Sequence, residues 1–220
     1  MISVSEAREL MLEHVSPLGT ERVSLRDAFN RTLAAPVVAR RAQPPFRASA
    51  MDGYAVRASD TPGMLRLIGE AGAGHAFGGK LGRGECARIF TGAPLPEGAD
   101  AVLVQEDARR DGETVTSPRI EANRHVRAVG IDFAEGETLL NAPAHLTGTA
   151  LALAAAAGRA ALTVARPPKL SIMSGGDEIV APDAEPNEAQ IFESASYGVA
   201  GLATQWGASA TAATPYRDDK

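Results

Sequence analysis

The stretch from Pro44 to about Gly130 constrains the fold of this chain more than any other part of its sequence. It consists of short apolar runs separated by Gly, Pro and Asp-Gly turns. Short runs at such regular spacing are typical of a small β-barrel or sandwich. After a first strand that starts at Tyr54, the sequence predicts strands over residues 65–70, 87–90, 101–105, 114–116 and 119–121.

Residues 44–56, Pro-Pro-Phe-Arg-Ala-Ser-Ala-Met-Asp-Gly-Tyr-Ala-Val, combine stiff, small and acidic residues in one segment. The two prolines fix their own φ, so the chain is expected to enter this segment extended. Asp52-Gly53 is a turn signal, because glycine takes positive φ freely and aspartate bonds its local backbone. The sequence therefore predicts a carboxylate at a rigid corner among residues too small to cover it, with a plain hairpin turn as the alternative.

Helical patterns lie on both sides of the β-rich stretch. Ser3 and Glu6 have the spacing of a capping box, ahead of a helix predicted over residues 4–15. A second helix, capped by Thr147 and ended by Gly158, is apolar on nearly every side. Because such a composition is typical of a buried helix, we expect this one to be enclosed.

After Pro167-Pro168 the pattern changes again. A strand, a polar loop, a helix and a second strand over residues 209–214 follow, which is the order of a βαβ unit. A parallel sheet needs both faces covered and further strands at its edges. We therefore expect this last unit to be incomplete here, because the chain is a fragment or a truncated relative, or because a second chain completes it.

Together these patterns predict an α+β multidomain protein. Its first domain is discontinuous and helix-containing, and comprises residues 1–43 plus 130–167. A β-rich, barrel-like domain of residues 44–129 is inserted into it. Residues 168–220 form the start of a parallel α/β domain.

Composition excludes several functional classes. The 220-residue chain has a net charge of −5, and no apolar run approaches the roughly 20 residues of a membrane helix. Its one cysteine, Cys86, permits neither an intrachain disulfide nor a thiolate metal cluster, which favours a cytoplasmic protein. Scattered Lys and Arg residues predict no nucleic-acid partner, and no membrane partner is expected.

Two loops, one within the β-rich stretch and one just after it, contain residues that suit chemistry. Thr91 lies where a strand ends, so its hydroxyl and the amides of Gly92 and Ala93 are candidates to face an anion. The alternative is a threonine that only bonds the local backbone. Asp132 lies in a glycine-bounded loop, where an ordinary turn is the alternative.

A third loop, Ser-Gly-Gly-Asp-Glu at residues 174–178, directly follows the first strand of the βαβ unit. Open α/β sheets bind ligands at the carboxyl ends of their strands. The paired carboxylates Asp177 and Glu178 would suit Mg²⁺, which takes oxygen ligands and often bridges to substrate phosphates. A simple polar loop is the alternative.

Taken together, these segments resemble the molybdopterin molybdotransferase family, which includes bacterial MoeA proteins and the gephyrin E domain. Ser-Ala-Met-Asp-Gly-Tyr-Ala-Val-Arg at 49–57 is highly specific to that family. So is Arg-Ile-Phe-Thr-Gly-Ala-Pro-Leu-Pro-Glu-Gly-Ala-Asp-Ala-Val at 88–102, which Val-Gln-Glu-Asp follows at 104–107. The loops at 130–132 and 176–178 agree more weakly, and the resemblance spans essentially the whole chain.

The resemblance implies a role in molybdenum cofactor biosynthesis. Members of this family are homodimeric transferases that insert molybdenum from molybdate into adenylylated molybdopterin, with Mg²⁺ and release of AMP. A molybdopterin-adenylylating protein is a candidate partner. The resemblance favours an enzyme, but we expect the 220-residue chain alone not to turn over.

The resemblance also carries over individual positions. In the family, the active-site cleft lies between the α/β domain of one subunit and the β-rich insert of the other. The positions that match polar residues important for activity are Asp52, Thr91, Asp132 and Glu178. The expected cofactor-binding positions beside Glu178 are Asp177, Ser174 and Gly176, and the metal ligands stay open.

The chain departs from the family's pattern near these positions. Arg47 and Ala48 replace an Asp and an Asn, Ile131 replaces a Glu, Gly175 replaces a Thr, and Glu193-Ser194-Ala195 replaces Asp-Ser-Asn. Polar side chains are thus lost in or near the implied cleft. The alternative function is that of a non-catalytic, divergent relative that binds the cofactor or acts as a dimeric scaffold.

Overall fold

The computed structural model describes residues 2–212 and residue 216. These residues form a mixed structure of helices and strands that divides into two compact units. The discontinuous unit comprises the chain up to Val37 and again from Thr138 onward, and the inserted unit comprises Val38–Glu137. The three-domain boundaries derived from the sequence stay a prediction.

The helices, in chain order, are α1 (Val4–Glu13), α2 (Gly148–Ala156) and α3 (Ala195–Gln205), and short 3-10 helices cover Leu25–Ala28, Ala58–Asp60 and Gln105–Asp107. The strands, in chain order, are β1 (Thr20–Ser24), β2 (Thr32–Leu33), β3 (Val37–Val38), β4 (Ala48–Ser49), β5 (Gly53–Val56), β6 (Gly63–Ala71), β7 (Glu85–Ile89), β8 (Ala101–Val104), β9 (Arg109–Asp111), β10 (Thr114–Ser117), β11 (Val126–Arg127), β12 (Thr138–Leu140), β13 (Ala144–His145), β14 (Ala161–Ala165), β15 (Lys169–Ile172), β16 (Ile179–Val180), β17 (Ile191–Phe192) and β18 (Ser209–Ala212).

The inserted unit is built on a six-stranded sheet in the order β8-β5-β7-β6-β10-β9. Its neighbouring strands are antiparallel except for the parallel pair β6 and β7. Successive residues of a strand point to opposite faces, and accordingly Ala55 packs in one hydrophobic cluster while Tyr54 and Val56 pack in another. The strand predicted from Tyr54 is confirmed, and it is buried on both faces.

The strand predicted over residues 119–121 is wrong. These residues follow Pro118, which has no amide to donate to a sheet. The Ile120 amide donates instead to the hydroxyl of Thr61, 3.0 Å away. A side chain therefore takes the place of a neighbouring strand.

In the discontinuous unit, one sheet joins segments that are far apart in the sequence. Its order is β1-β14-β2-β13, and β1 pairs with β14 over the register Thr20↔Ala165 to Ser24↔Ala161. In the βαβ unit, β15 and β18 pair in parallel, as the sequence predicts, and α3 lies between them in the chain. Residues 213–214 of the expected last strand lie outside the described residues.

Local signals predict the helix ends well and the burial of the helices poorly. The capping box at Ser3 and Glu6 is confirmed, although α1 ends at Glu13. Thr147 caps α2, and Gly158 follows it with φ +77°. The expectation that α2 is enclosed is wrong, since Ala154 is the one buried residue within that helix. Alanine favours a helix through its own conformational preference, which requires no burial.

Candidate functional site

Asp52 and Thr91 form a hydrogen-bonded pair in the inserted unit. Asp52 lies directly before β5, and its Oδ1 accepts hydrogen bonds from the Thr91 amide at 2.7 Å and the Thr91 hydroxyl at 2.8 Å. These two hydrogen bonds lower the pKa of Asp52 below its usual value of 3.8, and the bond from the Thr91 amide has the larger effect. No described residue donates a hydrogen bond to Asp52 Oδ2. The pair therefore presents an ionised carboxylate with one oxygen available to a ligand.

Gly53 is required here for a different reason from the one that the sequence suggests. The expectation that it supplies a positive φ is wrong, because it lies within β5 in ordinary strand backbone. A Cβ at this position would instead overlap the carbonyl oxygen of Leu103 on β8. The close approach of two strands, and not a tight turn, thus requires a glycine next to Asp52.

The structure matches neither of the two interpretations of the loop after Thr91, a site facing an anion or a threonine that bonds only its local backbone. The Gly92 amide donates to the Ser49 carbonyl oxygen and the Ala93 amide donates to the Phe90 carbonyl oxygen, each at 2.9 Å. Both donors of Thr91 are directed at Asp52. The loop therefore stabilises a carboxylate and leaves no free amide for molybdate or phosphate in this segment.

Sequence reasoning missed two residues that surround Asp52. Arg88 on β7 donates to the Gly53 carbonyl oxygen at 3.0 Å and to Gln105 Oε1 at 2.7 Å. The backbone amide of Gln105 donates to the Asp52 carbonyl oxygen at 3.1 Å. Both residues lie within the motifs at 88–102 and 104–107, which is the signal that would have identified them.

Asp132 is held in a separate contact of the inserted unit. Its carboxylate accepts a hydrogen bond from Arg127 at 2.8 Å, and both side chains are nearly half exposed. The Asp132 amide donates to the Gln43 carbonyl oxygen at 3.0 Å, so this loop contacts the residue directly before the proline segment. Within the described part of the chain, no hydrogen bond links Asp132 to Asp52 or Thr91.

The remaining expected site residues belong to the loop after β15 in the discontinuous unit. Gly176 has a φ of +142°, and a Cβ there would overlap the carboxylate of Glu178. The Gln190 side chain donates to the Asp177 carbonyl oxygen at 3.2 Å. The Ser174 hydroxyl oxygen is buried without a hydrogen-bond partner among the described residues. This loop therefore brings together Ser174, Gly176, Asp177 and Glu178.

Glu193 is a further carboxylate that sequence reasoning did not select. It is 5% exposed, and it accepts hydrogen bonds from the amide and the hydroxyl of Ser196, both at 2.7 Å. These two bonds are the largest causes that lower the pKa of Glu193 below its usual value. Ser194, the residue at the start of α3, makes no capping bond through its side chain, so Glu193 satisfies a helix amide in its place.

Two further properties concern the whole described chain. Residues 2–212 and 216 contain no group of three or more His, Cys, Asp or Glu side chains placed to hold a metal ion. None of the helices in the same residues is long and apolar enough to cross a membrane.

Thr91→Val is expected to raise the pKa of Asp52 part of the way back to its usual value, because it removes the hydroxyl donor and keeps the amide. Since the folded-state pKa is lowered, ionised Asp52 stabilises the fold above about pH 3.8, and this stabilisation is lost as the pH falls further through the lowered pKa. NMR titration of the Asp52 carboxyl carbon measures the shift. Thr91→Ser, which keeps the hydroxyl, is the control, and equal pKa values in Thr91→Val and the wild type would contradict the prediction.

Comparison with known proteins identifies relatives of this chain. Residues 2–158 match the family model of the MoeA N-terminal region (domain I and II). The chain is 36% identical over 204 residues to the molybdopterin molybdenumtransferase of Haemophilus influenzae, and the match covers 90% of this chain and 50% of that protein. It is also 36% identical over 228 residues to molybdopterin molybdenumtransferase 2 of Mycobacterium tuberculosis, across 100% of this chain and 56% of that protein.

A solved structure agrees with these sequence matches. The crystal structure of the molybdopterin biosynthesis MoeA protein from Pyrococcus horikoshii OT3 aligns with a TM-score of 0.89 and 29% identity, over 100% of this chain and 61% of that one. The chain spans about half the length of the curated relatives it matches. The resemblance found in the motifs is thus confirmed, and the chain belongs to the family of the MoeA N-terminal region (domain I and II).

Proposed function

We propose that this chain serves the insertion of molybdenum from molybdate into adenylylated molybdopterin, with release of AMP. The observation that carries the proposal is the Asp52–Thr91 pair, in which two family motifs meet and leave one carboxylate oxygen available. Relatives that match across most of this chain are molybdopterin molybdenumtransferases.

The chemistry of the pair fits a cation better than an anion. Mg²⁺ binds through one or two carboxylates together with substrate phosphates, and it keeps several of its waters. Asp52 Oδ2 is such a carboxylate oxygen, and the described residues offer no larger ligand set that would hold the ion by themselves. Bound in this way, Mg²⁺ would neutralise charge on the phosphate of the adenylylated substrate. Asp52 would orient the substrate through that phosphate, and Thr91 would keep its carboxylate ionised.

We further propose that Asp132 and Glu178 contribute to activity, and that Ser174, Gly176 and Asp177 bind the cofactor. Their support is their match in position to the family's motifs. The proposal includes the finer organisation expected from the sequence: a discontinuous helix-containing domain, a β-rich insert and the start of a parallel α/β domain. It also includes a cytoplasmic homodimer, with a molybdopterin-adenylylating protein as its partner.

A non-catalytic cofactor-binding or scaffold protein is the second candidate function. The observation that favours it is the loss of polar groups around the proposed site. Ile131, beside Asp132, is an apolar side chain with 59% exposure, and Ala48 is 3% exposed and has no polar side-chain atom. Arg47 bonds Asn123 at 2.7 Å, and thus has a structural contact of its own.

The test measures AMP release from adenylylated molybdopterin in the presence of molybdate and Mg²⁺. The protein assayed is the product of the complete reading frame, read past the codon of Lys220, beside the 220-residue chain. We expect release by the product if the frame continues into further α/β elements, and no release by the 220-residue chain alone.

Omission of molybdate and omission of Mg²⁺ are the controls, and each should abolish release. Binding of adenylylated molybdopterin without any release would favour the non-catalytic function. Robust release by the 220-residue chain alone would contradict the expectation that it does not turn over.

A further inference from the structure

The Arg88 guanidinium contacts both of the chain segments that carry the Asp52–Thr91 pair. Arg88 on β7 lies opposite Tyr54 on β5. In the next position of the same strand pair, Ile89 lies opposite Gly53. Its charged group lies 5.3 Å from the centre of the Tyr54 ring and 4.9 Å from that of the Phe90 ring. Tyr54 follows Asp52 by two residues, and Phe90 directly precedes Thr91. One side chain thus bridges the two backbones on which the pair depends.

The hydrogen bonds of Arg88 fix the backbone around Asp52 more directly. Nη1 donates to the Gly53 carbonyl oxygen at 3.0 Å, while Nη2 donates to Gln105 Oε1 at 2.7 Å. The backbone amide of Gln105 in turn donates to the Asp52 carbonyl oxygen at 3.1 Å. The carbonyl groups of two successive residues, Asp52 and Gly53, are therefore both held by one connected set of bonds.

We propose that Arg88 is a positioning residue that holds the Asp52 carboxylate against Thr91 through Gly53, Gln105 and the two aromatic rings. It contacts neither Thr91 nor the Asp52 carboxylate through a hydrogen bond, so its effect passes through these neighbours. The effect on catalysis rests on the proposed function, whereas the effect on Asp52 itself does not.

The chemistry of arginine suits this task. A planar guanidinium donates to two acceptors at fixed angles and stacks on aromatic rings, whereas a lysine ammonium is a flexible point charge.

The test compares Arg88→Met, which keeps an unbranched apolar stem, with Arg88→Lys, which keeps the charge. In the 220-residue chain, the readouts are the NMR chemical shift and the hydrogen-exchange rate of the Thr91 amide, which donates to Asp52 Oδ1. For Arg88→Met we expect a changed Thr91 amide shift and faster exchange of that amide. For Arg88→Lys we expect smaller changes of the same kind, because lysine keeps the charge but lacks the planar fork of donors.

Arg66→Met is the matched control, because Arg66 is an arginine of the same sheet whose partner is Glu85 at 2.5 Å. This variant should leave both signals at their wild-type values. If Arg88→Met does not fold, Gln105→Ala takes its place, because it removes the Gln105 Oε1 acceptor of Arg88. It should move both signals in the same direction as Arg88→Met, with smaller changes. A folded Arg88→Met with an unchanged shift and exchange rate of the Thr91 amide would overturn the proposal.

Activity provides the second readout, in the protein of the complete reading frame. AMP release by Arg88→Met should fall by roughly 10-fold to 100-fold, as for a displaced catalytic group. Arg88→Lys should retain more of the rate than Arg88→Met, because it keeps the positive charge and part of the donor capacity. A wild-type protein that releases no AMP would remove the proposed function and leave the NMR result to decide the positioning role.

Discussion

Replacement of Asp52 by Asn is expected to lower AMP release by about 10²-fold to 10³-fold in the protein of the complete reading frame, the size of effect seen when a preorganised electrostatic group is removed. The Asn carbonyl oxygen still accepts the two hydrogen bonds that Thr91 donates to Oδ1. The substitution therefore removes the charge and turns Oδ2 into an amide group, while the local geometry is retained. Asp52→Ala, which also removes the acceptor for Thr91, should be at least as inactive. Initial rates of AMP release at saturating substrate measure both effects.

Asp111→Asn is the matched control for this experiment. Asp111 is an exposed carboxylate on β9, at the edge of the sheet opposite to the edge next to β5. It removes the same charge from the same unit, so it separates a local effect from a change in overall charge. If Asp52→Asn retained a rate within about twofold of the wild type, the role that we assign to the Asp52 carboxylate would be wrong.

Gly53→Ala is expected to lower the free energy of unfolding of the inserted unit by about 3 kcal/mol, at the upper end of the usual cost of overpacking. The added Cβ would overlap the Leu103 carbonyl oxygen and lie 3.0 Å from the Val104 Cα. These are backbone atoms of β8 and cannot rotate away, so the two strands must separate. Hydrogen exchange of the β5 and β8 amides, which belong to this unit, measures the loss.

Gly78→Ala provides the comparison within the same unit. A Cβ at Gly78 meets no atom within 4 Å, and its φ lies outside the left-handed region. The change should therefore be neutral or stabilising by up to about 1 kcal/mol, through the entropy of the unfolded chain. Equal stabilities of Gly53→Ala and Gly78→Ala would show that β8 yields without cost and that the close approach does not require a glycine.

Much of the fold was predictable from residues near one another in the sequence. The capping box at Ser3 and the end of α2 ahead of Gly158 depend on contacts within a few residues. The strand from Tyr54 shows itself in a local alternation of side chains, and all three predictions are confirmed. The predictions that failed depend on remote partners. Residues 119–121 do not form a strand, because the Ile120 amide donates to the Thr61 hydroxyl. Most of α2 is not buried, because burial depends on which elements pack against a helix and not on its apolar composition alone.

The candidate site divides in the same way. The motifs were sufficient to select Asp52 and Thr91 and to indicate the family. They did not show that the two side chains, 39 residues apart, bond each other, nor that the amides after Thr91 already have acceptors. Glu193 was noted only as a departure from the family's Asp-Ser-Asn pattern, and that pattern does not show that the carboxylate bonds Ser196 at the start of a helix.

The sequence by itself determined that a carboxylate follows two prolines and precedes a strand, because backbone restrictions and the alternation of side chains act locally. Only the tertiary structure decided what that carboxylate faces. The Thr91 donors, the bracing by Arg88 and the need for glycine at position 53 all arise where β5, β7 and β8 lie side by side. Such contacts join atoms that are distant along the chain, and their geometry is set by the packing of the whole sheet.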